Sequence, residues 1–313
     1  MGRNIRPIRM CRAVPCPAHA DFSYICPLNK HNMKSFEHLI ITRFNLNLYA
    51  RDKHDAPTRT ERWLAHRFEV FERYCLPSVA AQTNPNFRWL CLFDAATPAA
   101  YRRRIGGYQS VCPQFRAVFY SAGQAGRLTE SLRTTISDLL AGREGHVTPP
   151  PPQLLITTNL DNDDALAADA VELLQREIRP SAGKRIYSLL YGYQYFTDRR
   201  FALKMRYTNN HFLTLVEPFD AHSETIVSYR HTKAVRQQPT VYLATDRGKW
   251  LEIVHEDNVS NDFRINIKVW YIPLLCGRRF ADFGLPDLHV PGLRQWFCTL
   301  CVVPARFLVT AVR

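Results

Sequence analysis

The chain contains no unbroken apolar run of the ~20 residues that a membrane-spanning helix needs, and its first 33 residues carry no apolar core of the kind found in a secretory leader. Glycine is sparse, 13 in 313 residues, and no glycine-rich phosphate loop or nucleophile motif follows the first apolar run, "TRFNLNL". A nucleotidyltransferase or phosphatase would want one or the other. Internal repeats and heptad arrays are missing. So is any basic-aromatic motif of the common RNA- and DNA-binding modules, which leaves no nucleic-acid partner to expect. Acid is nearly absent from both ends. Residues 1–33 hold five basic residues and one acid, and residues 291–313 hold three basic residues and none. Of the net charge of +13, only +6 therefore belongs to the body, enough to favour phosphates, nucleotides or an anionic surface. The motif Cys298-Thr-Leu-Cys301 has zinc-type spacing but no second pair, so a zinc site is not expected. Nine cysteines, an odd number, favour a reducing, cytoplasmic compartment.

What is there reads as an α/β domain. "HLIITRF" (38–44) is a short β-branched run and predicts a buried strand. In "TERWLAHRFEVFERYCLPSV" apolar residues recur at three- and four-residue spacings from Trp63 to Cys75, which predicts an amphipathic helix capped by Thr60 and ended or kinked by Pro77. "FRWLCLFD" and "RAVFY" predict two more strands, and "LTESLRTTISDLL" a helix. "GREGHVTPPPP" (142–152) is a loop. "QLLITTNL" is a further strand, running into the helix "LAADAVELLQREI". Later, "RIYSLLYGYQYF", "TIVSYRH" and "KWLEIVH" look strand-like. Strands alternating with helices predict a mainly parallel central sheet flanked by helices. In such sheets ligands bind beyond the carboxyl ends of the strands. Three expected strand ends are polar: Arg43-Phe-Asn45, Asp94, and Asp161-Asn-Asp163-Asp164.

The last of these poses the chemical question, because three carboxylates at one point repel unless something offsets their charge. A calcium helix-loop-helix fails on Ala165 and Leu166, which stand where a ligand and the turn glycine are needed. An N-terminal cap of the next helix accounts for one acid, Asp164 for instance, and a solvated loop remains open for the rest. A divalent cation held with a diphosphate uses two: an Asp-x-Asp pair at a strand end can bind metal and nucleotide together.

"YCLPSVAAQTNPNFRWLCLFDAATP" and "TTNLDNDDAL" resemble the donor half of type A glycosyltransferases. With "ITRFNLNL" and "HEDNVSN" the likeness narrows to the bacterial rhamnosyltransferase family, over residues 36–262. The resemblance implies a GT-A-like, Rossmann-like nucleotide-sugar domain over residues 34–270, with a donor half at 36–170 and an acceptor half at 180–270. Residues 1–33 would be a disordered extension or a mis-assigned start, and 271–313 a tail. It implies metal-dependent glycosyl transfer from a nucleoside-diphosphate sugar to a glycan or lipid-linked acceptor, with Mn²⁺ or Mg²⁺ as cofactor. Thr42, Arg43, Asn45, Asp94 and Asp161 would contact the donor, and Asp163 and His255 would hold the metal. Glu217, which ends an apolar run, is the candidate catalytic base. A non-catalytic sugar-nucleotide-binding protein of the same fold is the alternative. The apolar stretch "WFCTLCVVPARFLVTAV", broken by Pro304 and Arg306, is expected to pack as a tail or to rest peripherally on the inner face of a membrane.

Overall fold

The computed structural model describes residues 5–7, 35–46, 60–141, 152–178, 183–255, 270–273 and 278–304. Most of residues 1–33, the loop at 142–151 and the end of "HEDNVSN" lie outside them. The strands, in chain order, are β1 (Ile5–Pro7), β2 (Phe36–Arg43), β3 (Arg88–Asp94), β4 (Phe115–Tyr120), β5 (Leu154–Asn159), β6 (Ala165–Leu166), β7 (Arg185–Leu189) and β8 (Tyr191–Phe196). They continue with β9 (Phe201–Arg206), β10 (Leu213–Pro218), β11 (Thr240–Ala244), β12 (Trp250–Val254), β13 (Trp270–Pro273), β14 (Arg278–Phe280) and β15 (Leu285–Val290).

The expected α/β fold is what forms. An eight-stranded sheet runs β1-β11-β7-β10-β5-β2-β3-β4. Strands β5, β2, β3 and β4 pair in parallel, as do β7, β11 and β1. β10 runs against both its neighbours, β5 and β7. The alternation of β2 explains how the sheet is covered. Leu39 and Ile41 face one way, with Leu132 and Ile136 of the helix Leu128–Ala141. Ile40 faces the other way, with Phe68, Phe71 and Trp89. β5, in the middle, is buried along its whole length, as a strand covered on both faces must be.

Two expectations about the first helix divide. Thr60 does cap it, its hydroxyl accepting from the Trp63 amide at 3.1 Å. Pro77 does not end it. Glu61–Val70 passes through a π-helical turn, Phe71–Cys75, into Leu76–Ala80. A proline here has no N–H, and its ring would press on the carbonyl four residues back, so the widened turn takes up the insult. The continued end then reaches the acidic loop, where Cys75 Sγ lies 3.6 Å from the Asp161 carbonyl and Ser78 Oγ accepts from the Leu166 amide at 3.3 Å.

The run "RIYSLLYGYQYF" is strand, as expected, but it serves two sheets. β7 belongs to the large sheet, and after Leu190 the chain enters β8 of a second one, ordered β13-β9-β8-β12-β6. The junction is closed by Trp250, fully buried, whose indole N–H donates to the Leu189 carbonyl at 2.8 Å and whose ring stacks on Phe212. Tyr187, Tyr193 and Tyr195 are core residues. The expected tail contributes to the second core through Phe280 and Phe283, and Ile5–Pro7 of the expected extension lies along β11. "TIVSYRH" is not a strand. It forms a 3-10 turn, Ile226–Ser228, and opens the helix His231–Gln237. The helix expected from Leu166 starts at Ala170, because Ala165–Leu166 is taken by pairing with β12. No helix among the described residues is long and apolar enough to cross a membrane.

Candidate functional site

The parallel strands β5, β2 and β3 deliver Asp161, Arg43 and Asp94 to the same edge of the large sheet, side by side as their registers require. Asn45 fastens two of these ends. Its amide donates to Thr97 Oγ1 at 3.0 Å and its carbonyl oxygen accepts from the Asp94 amide at 3.0 Å. Asp94 in turn accepts from the Ala96 amide at 2.7 Å. β2 and β3 are neighbours, so Asp94 stands roughly 10 Å from the β5 end by the usual strand spacing.

The acids after β5 are treated differently although they are neighbours in sequence. Asp161 is the most exposed of them and faces solvent, with Arg43 Nη2 at 3.9 Å. Asp163 is buried, and one of its oxygens meets Arg67 Nη1 at 2.7 Å and His255 Nε2 at 3.2 Å. Burial alone would raise the Asp163 carboxyl, but the Arg67 guanidinium and His255 outweigh it and hold it well below the usual carboxylate range. Asp164 is more deeply buried still. One of its oxygens accepts from the Ile253 amide at 2.9 Å and the other lies 2.7 Å from His211 Nε2. Burial, with the charge of Asp163 beside it, pushes the Asp164 carboxyl well up. His211 is lowered by burial, but Asp164 more than offsets this and takes it up to about 10. The pair therefore keeps a proton between its two atoms through neutral pH. Asp164 does not cap the following helix, which begins beyond Asp169.

Asp161, Asp164 and His211 bring two carboxylate oxygens and an imidazole nitrogen within 4.8 Å of one another, a cluster that could hold a metal ion. They fit such an ion chemically, since the donor set is oxygen-rich and the shared proton stands where a cation would. The cluster opens on a cleft of about 440 Å³ lined by Arg43, Asn159, Asp161, Arg230 and His231 among others. Buried Glu252, held by Gln194 Nε2 at 2.8 Å, adds negative charge behind it, and burial raises its carboxyl in turn. A second opening, about 500 Å³, has His66, Glu69, Asp198 and His255 in its wall.

Not every expected residue is brought here. Thr42 is fully buried and its hydroxyl accepts from the Trp89 indole at 2.9 Å. It points into the core because it alternates with Arg43 along β2. Glu217 is at the opposite edge of the sheet. β10 is antiparallel to β5, and Glu217 pairs with Leu155 at the start of that strand, roughly 20 Å from Asp161 at 3.3 Å per residue. There it forms an ion pair with Lys184 at 3.2 Å and accepts from the Glu224 amide at 3.1 Å. It has no access to the cleft. Asp163 and His255 do meet, but Arg67 occupies the same carboxylate oxygen. The sequence reading missed Arg67, His211 and Glu252. Only the four-residue spacing that puts Arg67 beside Phe71 on the buried side of its helix hinted at any of them. Cys298 is buried and Cys301 exposed, and both thiols are free.

Residues 34–267 match the model of a family described as "Putative rhamnosyl transferase". Among solved structures, residues 1–349 of S. aureus TarS align over 69% of this chain and 60% of theirs, with 10% identity and a TM-score of 0.38. A longer TarS chain is covered over 37% of its length. A "putative nucleotide-diphospho-sugar transferase" from Desulfovibrio desulfuricans G20 aligns over 72% of this chain and 84% of its own, with 8% identity and a TM-score of 0.31. Mouse xyloside xylosyltransferase 1 aligns over 65% and 70%, with 12% identity and a TM-score of 0.26. No curated protein is similar enough to count as a match.

Proposed function

The chain belongs to the rhamnosyl transferase family, and from that premise we propose that it moves a sugar from a nucleoside-diphosphate donor to a glycan or lipid-linked acceptor. The family description suggests rhamnose as the sugar. The observation that supports the reading is the meeting of Asp161, Asp164 and His211 at the carboxyl edge of the parallel strands, beside a cleft walled by Arg43 and Arg230. Transfer breaks the bond from the anomeric carbon to the diphosphate oxygen, which keeps the electron pair. A bond to the acceptor oxygen forms, and that oxygen loses its proton.

The chain's own groups answer to these charges. Arg43 and Arg230 pair with phosphate oxygens as negative charge grows there. Asp161 reaches the ribose and diphosphate, and Asp94, held by Asn45, reaches the base. Bound Mn²⁺ or Mg²⁺ would add Lewis-acid stabilisation of the leaving diphosphate, and the His211 nitrogen in the donor set favours Mn²⁺. Arg67 keeps Asp163 ionised, and Asp163 orients His255.

The test is release of nucleoside diphosphate from a panel of nucleotide sugars, with Mn²⁺ and with chelator. Metal-dependent release is expected from at least one donor, and Asp161→Asn or Asp164→Asn should slow it about 10²- to 10³-fold, the range for loss of one preorganised electrostatic group. Binding of a donor without turnover, or release unchanged in both variants, would overturn the reading.

A further inference from the structure

The helical segment 292–304 carries apolar residues on its outward side as well as its inward one. Residues Gly292–Phe297 form an α-helix that continues through a π turn, Cys298–Val302. A helix on a protein surface ordinarily turns its apolar stripe inward. Here the inward side carries Gln295 and Thr299 beside Cys298, with Val302 and Val303 packed against the same core. Gln295 is fully buried, and its side chain accepts from the Ala202 amide at 3.0 Å and donates to the Ala202 carbonyl at 2.9 Å. It also donates to Thr299 Oγ1 at 3.2 Å, and Arg294 donates to the Arg199 carbonyl. This clamp on β9 fixes the rotation of the helix. The outward side is then Leu293, Trp296, Phe297 and Leu300, exposed by 90%, 50%, 62% and 56%. Their spacing is three, one and three residues, a continuous stripe. These are four of the five large apolar residues exposed among those described.

Basic residues lie beside the helix that bears the stripe, Arg294 within it and Arg199 joined to it through its carbonyl. Arg199 and Arg200 lie in the β8–β9 turn against which the helix is clamped. Arg73 and Arg200 lie near Tyr195, which shares its core with Cys298 of the helix. The acid in this group, Asp198, is taken by Arg199 at 3.3 Å. Leucine, tryptophan and phenylalanine on a helix flanked by arginine match a bilayer interface with anionic headgroups. A second copy of the chain fits less well. A twofold contact through the stripe would bring the flanking arginines toward their own copies, and the four side chains offer on the order of 400 Å² together, about half of what one partner contributes to a standard interface.

We propose that the stripe Leu293–Trp296–Phe297–Leu300, with the arginines that flank its helix, is a docking surface for anionic lipid bilayers. The β8–β9 turn links it to the second opening, since Thr197 and Asp198 line that opening with His255. The proposal does not depend on the transferase reading, because lipid binding is measured without donor.

The experiment is flotation of the full chain with vesicles of phosphatidylcholine alone and with a third phosphatidylglycerol. Binding to the anionic vesicles is expected, falling at high salt. Replacing all four stripe residues with serine should reduce the bound fraction at least tenfold. Arg73→Glu with Arg200→Glu, which leaves the stripe intact, should do so at low salt and keeps the test open if the serine variant does not fold. No binding by the native chain overturns the proposal. So does equal binding by the charge-reversed variant, or a dimer in solution that the serine substitutions dissolve.

Discussion

Arg67 offers the sharpest test of how the acid loop is held. Its guanidinium is about nine-tenths buried, 2.7 Å from Asp163 and 3.2 Å from the Asn162 carbonyl oxygen. Arg67→Met keeps much of the volume but strands a buried carboxylate. Breaking a buried pair from one side costs about 3–5 kcal/mol, and His255 at 3.2 Å leaves some compensation, which puts the expectation near 3 kcal/mol. For a chain of this length the unfolding entropy turns that into a fall in Tm on the order of 5 °C. Adding Asp163→Asn removes the stranded charge, so the double variant should recover more than half of the loss. Urea denaturation of the native chain, both single variants and the double variant closes the cycle. A loss below about 1 kcal/mol for Arg67→Met, or additive losses in the double variant, would refute the claim that Arg67 is the counter-ion of Asp163.

Three further outcomes follow from the same structure. His38, fully buried, accepts from Gln175 at Nδ1 (3.0 Å) and so donates from Nε2 to Thr158 (2.9 Å), and burial lowers its pKa to about 3. Its stabilising effect is complete above 6.5 and is lost as pH falls from 6.5 toward 3, at up to about 1.4 kcal/mol per unit. His38→Gln should flatten the dependence of the urea midpoint between pH 7 and pH 5, and an unchanged slope would count against it. Glu217→Gln should leave nucleoside-diphosphate release within about twofold, since the residue is ionically tied at the far edge of the sheet; a hundredfold loss in a folded variant would return it to the site. Gly192→Ala should destabilise by roughly 3 kcal/mol, because the new Cβ would fall 1.9 Å from the Trp250 ring, and a Tm within 2 °C of the native value would contradict this.

The strands and their polar ends were legible because burial and periodicity are local properties. "LLITTN" and "RWLCLFD" could be little else, and parallel order put Asp161, Asp94 and Arg43 on one edge. What was not legible depends on direction and distance. "TLVEP" reads as a buried run whichever way it points, and its reversal against β5 is what removes Glu217 from the site. Thr42 and Arg43 are adjacent letters, yet strand alternation gives one to the core and the other to the cleft. "TIVSYRH" has β-branched residues but becomes a turn and helix because Ile226 is needed over the sheet, its amide bound to Thr157 at 2.9 Å. Arg67 and His211 matter through partners 96 and 47 residues away, and no local pattern announces those.

The acid loop also speaks to how such a chain can change over time. Three carboxylates within four positions have three addresses: Asp161 the cleft, Asp163 the Arg67 guanidinium and His255, Asp164 a buried amide and His211. Its two ends are anchored in different sheets, at Asn159 and Ala165. Gaining or losing one letter between those anchors would shift every acid to its neighbour's address at once, setting a bare charge in the core and an amide in the cleft. Even Asn162 between them is fixed, its amide donating to the Phe44 carbonyl at 2.9 Å and its oxygen accepting from Arg67 at 3.2 Å. The loop's reading frame, rather than its acidity, is what the fold protects.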